Sequence, residues 1–280
     1  MTTFPNSGKT IRLGRVLNPA DGRAAVVAYD HGSMVGVIPG NENPGDMLET
    51  LAEGGADALM VAPGIARTYA SVFAGRGAPA LIVRIDWWNL WRGEGQLPYK
   101  EGSGRLIATV EDAARLGADA ILIYMILGME NSEFEANHVE TIAKVAHDCD
   151  KMGIGCIIEP MARGALSEDP LKPEYIALGS RMACELGADV LKIEYTGNSD
   201  TFKGVTEAAF RPILIAGGPK TSTLRDALAM LRGALDAGAS GSFIGRNVFQ
   251  AENPRLMMQV MASMIHENWS VDEALEALNG

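Results

Sequence analysis

The chain has 280 residues, 47% of them hydrophobic, and a formal net charge of −11. That length and apolar content suit one large globular domain over 1–280. The acidic balance argues against nucleic acid or an anionic membrane as a partner. No apolar run reaches the roughly 18–20 residues needed to span a bilayer, and Met1–Arg15 lacks an apolar signal core, so a cytoplasmic location is expected. Cys149, Cys156 and Cys184 have no metal-type spacing and read as small core hydrophobes.

Taken in chain order, eight short apolar runs read as strands: 25–30, 58–62, 80–86, 120–125, 155–160, 190–195, 213–217 and 241–245. Helical patterns lie between most of them, for example 139–152 and 173–186. Ser270 is a plausible cap for a terminal helix over 271–278. A local pattern recurs at the junctions: Gly55-Ala56-Asp57, Gly117-Ala118-Asp119, Gly187-Ala188-Asp189 and a degenerate copy at Gly238-Ala239-Ser240. Glycine can end a helix at positive φ, and an apolar run then starts a strand. Near-continuous apolar strands alternating with helices predict a parallel sheet covered by helices. Eight such units predict a closed (β/α)8 TIM barrel with a short N-terminal extension and C-terminal helices; the alternative is an open doubly wound sheet. Two connections are long, 32–44 and 87–104. The second holds Trp87, Trp88 and Trp91, placed either over the site or against a neighbouring subunit.

In such a barrel the strand C-termini and the loops after them build the site. That singles out Asp30 and His31 after the first strand, Asp86 at the end of the third, Glu159 on the fifth, and Lys192 and Glu194 on the sixth. A lysine inside a strand core is costly unless paired or neutral, and a neutral lysine can attack a carbonyl to form a Schiff base. The alternative is a structural Lys192 paired with Asp30 or Glu194. Gly217-Gly218 and Gly245-Arg246 follow the seventh and eighth strands, where backbone N–H groups bind phosphate in this fold. Arg246 and Lys220 could add charge; the alternative is a plain turn with Arg246 paired to a surface acid. His31 could carry a proton or only close the strand end. His138, His147 and His266 read as helix-surface residues. No HxH or HExxH spacing occurs, and no metal is expected.

Several segments together carry a family resemblance: Tyr29-Asp30-His31-Gly32, Leu191-Lys192 with Tyr195-Thr196-Gly197, the run Pro212 to Lys220, and Ile244 to Gln250. The chain resembles the class I, Schiff-base aldolases that include archaeal-type fructose-bisphosphate aldolase, 2-amino-3,7-dideoxy-D-threo-hept-6-ulosonate synthase and the LsrF-type thiolase. The resemblance implies that Lys192 is the imine-forming lysine and Asp30 the acid beside it. It implies that Gly217, Gly218, Gly245 and Arg246 grip a phosphate, that no cofactor is needed, and that the protein is a homo-oligomer. It implies a lyase that cleaves or forms a C–C bond in a phosphorylated ketose. A transaldolase-like or coenzyme A-dependent acyl transfer on a phosphorylated ketone, or a degenerate phosphosugar-binding barrel, stands as the alternative. The chain departs from the family on the fifth strand. Aldolase members carry Tyr-Pro-Arg-Gly there, with the tyrosine as acid/base; this chain reads Glu159-Pro160-Met161-Ala162-Arg163-Gly164, which puts a thioether in that place. Glu159 is the leading replacement, with His31 and Tyr124 behind it.

Overall fold

Side chains on a strand alternate between two faces, and here the two faces feed two different cores. In the computed structural model, which describes residues 6–99, 102–218 and 221–279, every predicted strand forms. They are β1 (Ala24–Ala28), β2 (Ala58–Val61) and β3 (Ala80–Arg84), then a short pair, β4 (Asp86–Trp88) and β5 (Gly104–Leu106). After these come β6 (Ala120–Leu127), β7 (Gly155–Ala162), β8 (Val190–Glu194), β9 (Ile213–Ala216) and β10 (Gly241–Ile244). The parallel order is β1–β2–β3–β6–β7–β8–β9–β10, and β10 pairs back onto β1. That closure makes a (β/α)8 TIM barrel and excludes the open sheet.

One face of each strand points into the barrel. Val26, Met60, Ile82, Leu122, Ile157, Val190, Leu214 and Phe243 fill this narrow inner core, spaced by alanines. The alternate positions, among them Val27, Leu59, Val83, Ile121 and Ile193, pack outward under the helices. The expected N-terminal extension is helix α1 (Ser7–Val16), whose Leu13 and Val16 join the inner core and close its lower end. Lys9 of this helix is buried and bridges Asp150 at 2.6 Å and Asp189 at 2.7 Å. Burial lowers its pKa, but the hydrogen bonds to both aspartates outweigh that and leave it raised.

The recurring Gly-Ala-Asp pattern has a physical basis. Gly55, Gly117 and Gly187 have φ of 83°, 85° and 105°, a region that glycine enters without steric cost. The aspartate then reaches across to the start of the preceding barrel strand. Asp57 accepts from the Ala25 N–H at 2.6 Å, Asp119 from Leu81 at 3.0 Å and Asp189 from Cys156 at 2.8 Å. Each copy ends a helix and ties two strand starts together.

The structure differs from the sequence reading at three places. The third strand does not run on to Asp86: it stops at Arg84, and Asp86 opens β4. The Tyr124 N–H and the Trp88 indole N–H both donate to Asp86 Oδ2, at 3.0 and 2.9 Å, which turns the chain out of the barrel into the antiparallel β4–β5 pair. Second, the helix predicted over 139–152 begins earlier and is α6 (Ser132–Met152), capped by the Asn131 side chain. Third, two histidines are not plain surface residues. His138 packs edge-on to Trp88 with ring centroids 5.0 Å apart. His266, on α11 (Pro254–His266), bridges Asp21 at 2.7 Å and Asp57 at 2.9 Å. The terminal helix is α12 (Val271–Asn279), with Ser270 as its cap: Ser270 Oγ accepts from the Glu273 N–H, and Glu273 accepts from the Ser270 N–H. All three cysteines are buried and free. Among the described residues no helix is long and apolar enough to cross a membrane.

Candidate active site

The inward face of the strands continues upward past the apolar core. In β1, β3, β6, β7 and β8 the next inward positions are Asp30, Arg84, Tyr124, Glu159 and Lys192. These five side chains form a polar layer at the C-terminal end of the barrel, beneath a cavity of about 470 Å³. The cavity is lined by Asp30, His31, Tyr124, Glu159, Met161 and Lys192 from below, and by Gly217, Gly218, Gly245 and Arg246 along one side.

Lys192 Nζ lies 2.9 Å from Glu159 Oε1 and above the Phe243 ring, 4.9 Å from its centroid. Its partner is therefore Glu159, not Asp30 or Glu194. The other Glu159 oxygen accepts from Arg84 Nη2 at 3.1 Å. Arg84 is fully buried; its Nη1 donates to Asp86 at 3.0 Å and its Nε to Asp30. One guanidinium thus holds three carboxylates, two of which face the lysine. Burial alone would raise the Asp30 pKa, but Arg84, with help from His31 and Lys192, outweighs it and holds Asp30 below its ordinary value. Asp86, held on the far side of Arg84, is raised by burial because Arg84 offsets it only in part.

Strand β7 passes through Pro160 without a break, so Glu159 and Met161 share the inward face and line the same cavity. Tyr124, paired in register with Glu159, lies under the Arg84 guanidinium at 3.9 Å from its ring centroid. Burial pushes its pKa well above the ordinary phenol value. Its hydroxyl has no hydrogen-bond partner among the described residues. His31 follows β1 at the start of α2 (Gly32–Val35), with Nδ1 3.7 Å from Asp30 Oδ1 and no hydrogen bond. Burial lowers its pKa to about 4 despite Asp30, so the ring is neutral at pH 7. Glu194 turns to Arg163, with which it forms a close ion pair. Burial raises the Glu194 pKa and Arg163 offsets this only in part.

The two glycine turns meet at the ends of β9 and β10. A Cβ on Gly217 would fall 2.6 Å from Ile244 Cγ2, and one on Gly245 2.6 Å from the Ala28 carbonyl oxygen; only glycine allows this approach. The N–H groups of Gly218, Gly245 and Arg246 have no acceptor among the described residues. Arg246 donates to the Gly218 carbonyl at 2.9 Å, and Asn247 to the Gly217 carbonyl at 3.2 Å. No acid pairs with Arg246 among the described residues, its Nε is buried without a partner, and burial lowers its pKa. The surface acid that the alternative reading placed beside it is absent from the described residues. Lys220 lies outside them.

The tryptophan-rich connection splits its roles. Trp88 is fully buried behind the site, Trp87 donates its indole N–H to the Ser33 carbonyl at 2.7 Å, and Trp91 lines the cavity above Tyr124 with ring centroids 5.4 Å apart. So Trp91 roofs the site and Trp88 packs within its own chain. Sequence reasoning missed Arg84. Its signal was the one that singled out Lys192: a charged residue at an inward position of an apolar strand. Among the described residues no group of three or more His, Cys, Asp or Glu side chains is placed to hold a metal.

Comparison with known proteins gives matches over most of the chain. Residues 24–251 match the model of the DeoC/LacD family aldolases. The chain is 40% identical over 272 residues to an uncharacterized aldolase of Saccharolobus solfataricus, covering 97% of this chain and 99% of that one. It is 33% identical to the 2-amino-3,7-dideoxy-D-threo-hept-6-ulosonate synthase of Halobacterium salinarum, covering 96% of each chain. A solved Schiff-base-forming fructose-1,6-bisphosphate aldolase superposes with a TM-score of 0.80 at 30% identity, covering 92% of this chain and 100% of that one. With its barrel, its inward lysine and these matches over most of its length, the chain belongs to the DeoC/LacD family of aldolases.

Proposed function

We propose that this protein is a Schiff-base aldolase acting on a phosphorylated ketose, with Lys192 as the nucleophile. One observation carries the reading. The Lys192 amine touches a buried carboxylate at 2.9 Å, and the cavity it faces is bordered by a half-buried arginine that has no acid partner among the described residues. The first feature supplies a nucleophile with a proton acceptor. The second supplies a place for a dianion.

The chemistry follows from these positions. Glu159 takes a proton from the Lys192 ammonium, and the neutral amine adds to the ketone carbon. Glu159 returns this proton to the carbinolamine hydroxyl, which leaves as water to give an iminium, and the iminium acts as an electron sink. The C3–C4 bond then breaks, its electron pair moves into the iminium to form an enamine, and a base removes the proton of the C4 hydroxyl. Glu159 is assigned this proton as well, since it stands at the lysine on the face shared with Met161. Protonation of the enamine and hydrolysis free the donor ketone. Asp30, held ionised by Arg84, favours the cationic iminium. Neutral His31 packs beside the Gly245 turn, close to the reacting carbon. The phosphate lies against Gly217, Gly218, Gly245 and Arg246, through N–H donors and the guanidinium. The protein is further proposed to act as a homo-oligomer without a cofactor.

Borohydride trapping tests the nucleophile. Incubation with dihydroxyacetone phosphate and borohydride should fix a mass adduct on Lys192, and Lys192→Arg should lose it while keeping its circular dichroism spectrum, because guanidinium forms no such imine. Trapping that survives in the variant refutes the assignment. Consumption of coenzyme A during turnover would instead favour the acyl-transfer alternative.

A further inference from the structure

The cavity mouth has two ends of different character. Around the barrel, β9 and β10 stand opposite β3 and β6. The glycine turns with Arg246 therefore face a wall formed by Trp91 over Tyr124. Loop residues Met34 and Val35, together with Met161, pack with these rings and extend this wall. The loop is fixed in place: Gln96 donates to the Val35 carbonyl at 3.0 Å, and Trp87 to the Ser33 carbonyl.

The charges are distributed unequally. Among the described residues three cations line the mouth: Lys192, Arg163 and Arg246. Lys192 is taken by Glu159 and Arg163 by Glu194, so only Arg246 has no carboxylate among the described residues. Arg163 is the cation at the Trp91 wall, 5.9 Å from that ring. Arg92 is nearby but stacks on Trp87 and does not line the cavity. A second phosphate placed at the wall would meet apolar side chains and the buried Glu194 carboxylate. It would bind only by breaking the Arg163–Glu194 pair and leaving a buried charge unpaired, which is costly.

We propose that the site takes a ketose with a single phosphate, on the donor half beside the imine carbon, and an uncharged acceptor half that lies against Trp91 and Met34. The Glu194–Arg163 pair is the element that rejects a second phosphate. This proposal rests on the Schiff-base reading above, so the test separates the two. Dihydroxyacetone phosphate is first trapped on Lys192 with borohydride; no adduct means that the Schiff-base reading has failed. With the adduct present, condensation of dihydroxyacetone phosphate is measured with uncharged aldehydes, butanal and glyceraldehyde, and with glyceraldehyde 3-phosphate. The better uncharged aldehyde should exceed the phosphorylated one in kcat/KM by about tenfold or more. Glu194→Gln, which keeps the shape and frees Arg163, should shrink that ratio by about tenfold through KM for the phosphorylated aldehyde. An equal or greater kcat/KM for glyceraldehyde 3-phosphate overturns the proposal, as does failure of every aldehyde to condense. A ratio unchanged in Glu194→Gln removes the role given to the Glu194–Arg163 pair.

Discussion

Met161 sets the chemical problem at the scale of single residues. A thioether cannot move a proton, yet it lies on the inward face where the resemblance expects a tyrosine. Two neighbours can do that work. Glu159 touches the lysine, and its register partner Tyr124 lines the same cavity. Arg84 separates their behaviour. It donates to Glu159 while its face covers the Tyr124 ring, so it fixes the carboxylate in place beside the lysine amine. Glu159→Gln retains shape and hydrogen-bonding capacity but cannot accept that proton. Turnover should fall about 10²-fold or more, the low end for general acid–base catalysis, while the borohydride adduct at Lys192 still forms, more slowly because the amine has lost its proton acceptor. Turnover near the wild-type rate in Glu159→Gln would shift the proton to Tyr124, and Tyr124→Phe would then carry the loss.

The elements show what could be read from the chain and what could not. All eight barrel strands were legible because each is a short, wholly buried apolar run between turn signals. The turns after β9 and β10 were legible through glycine. For these turns, Arg246→Ala should weaken binding of a phosphorylated ligand by about 1.5–3 kcal/mol, the range for a hydrogen bond to a charged group, and leave its unphosphorylated analogue unaffected. An equal loss for both ligands would make Arg246 a structural clamp on the Gly218 carbonyl. The β4–β5 pair was not legible. The run 80–86 is apolar throughout except Arg84 and Asp86, so nothing local marks its break; the break comes from hydrogen bonds that Tyr124 and Trp88 make to Asp86. The partner strand β5 is largely exposed and has no periodicity of its own. Gly104 holds this pair together, since a Cβ there would lie 2.1 Å from the Trp88 ring. Gly104→Ala should cost about 1–3 kcal/mol, as overpacking does, and loosen the Trp91 roof. Denaturant unfolding measures the first effect and a raised KM the second; a variant as stable as wild type would show that Trp88 can move aside freely.

For the whole molecule, histidines link stability to pH in opposite directions. Burial holds His31 and His138 at about 4, so between pH 6.5 and 4 the unfolded chain binds protons that the native one does not. Their share of stability is complete above pH 6.5 and is lost as the pH falls. Asp86, Asp119 and Glu194, raised by burial, act against this loss, while Asp30 and Asp21, held low by their partners against burial, add to it. The alkaline side is simpler. The hydrogen bond to Asp57, with a smaller one to Asp21, raises His266 to about 9 against the opposing effect of burial. The native state therefore keeps a proton that the unfolded chain has lost. That contribution is complete below pH 6.5 and disappears as the pH rises through 9. The clamp matters to the fold because Asp57 also accepts from the Ala25 N–H, so His266 joins α11 to the starts of β1 and β2. None of this was legible locally: His266 and its two aspartates are more than 200 positions apart in sequence. Thermal unfolding should show Tm declining from pH 6.5 to 9 in the wild type. His266→Gln should be less stable at pH 6.5 and nearly flat over the same interval. A His266→Gln protein whose Tm still declines there as steeply as wild type would assign the alkaline limb to another group.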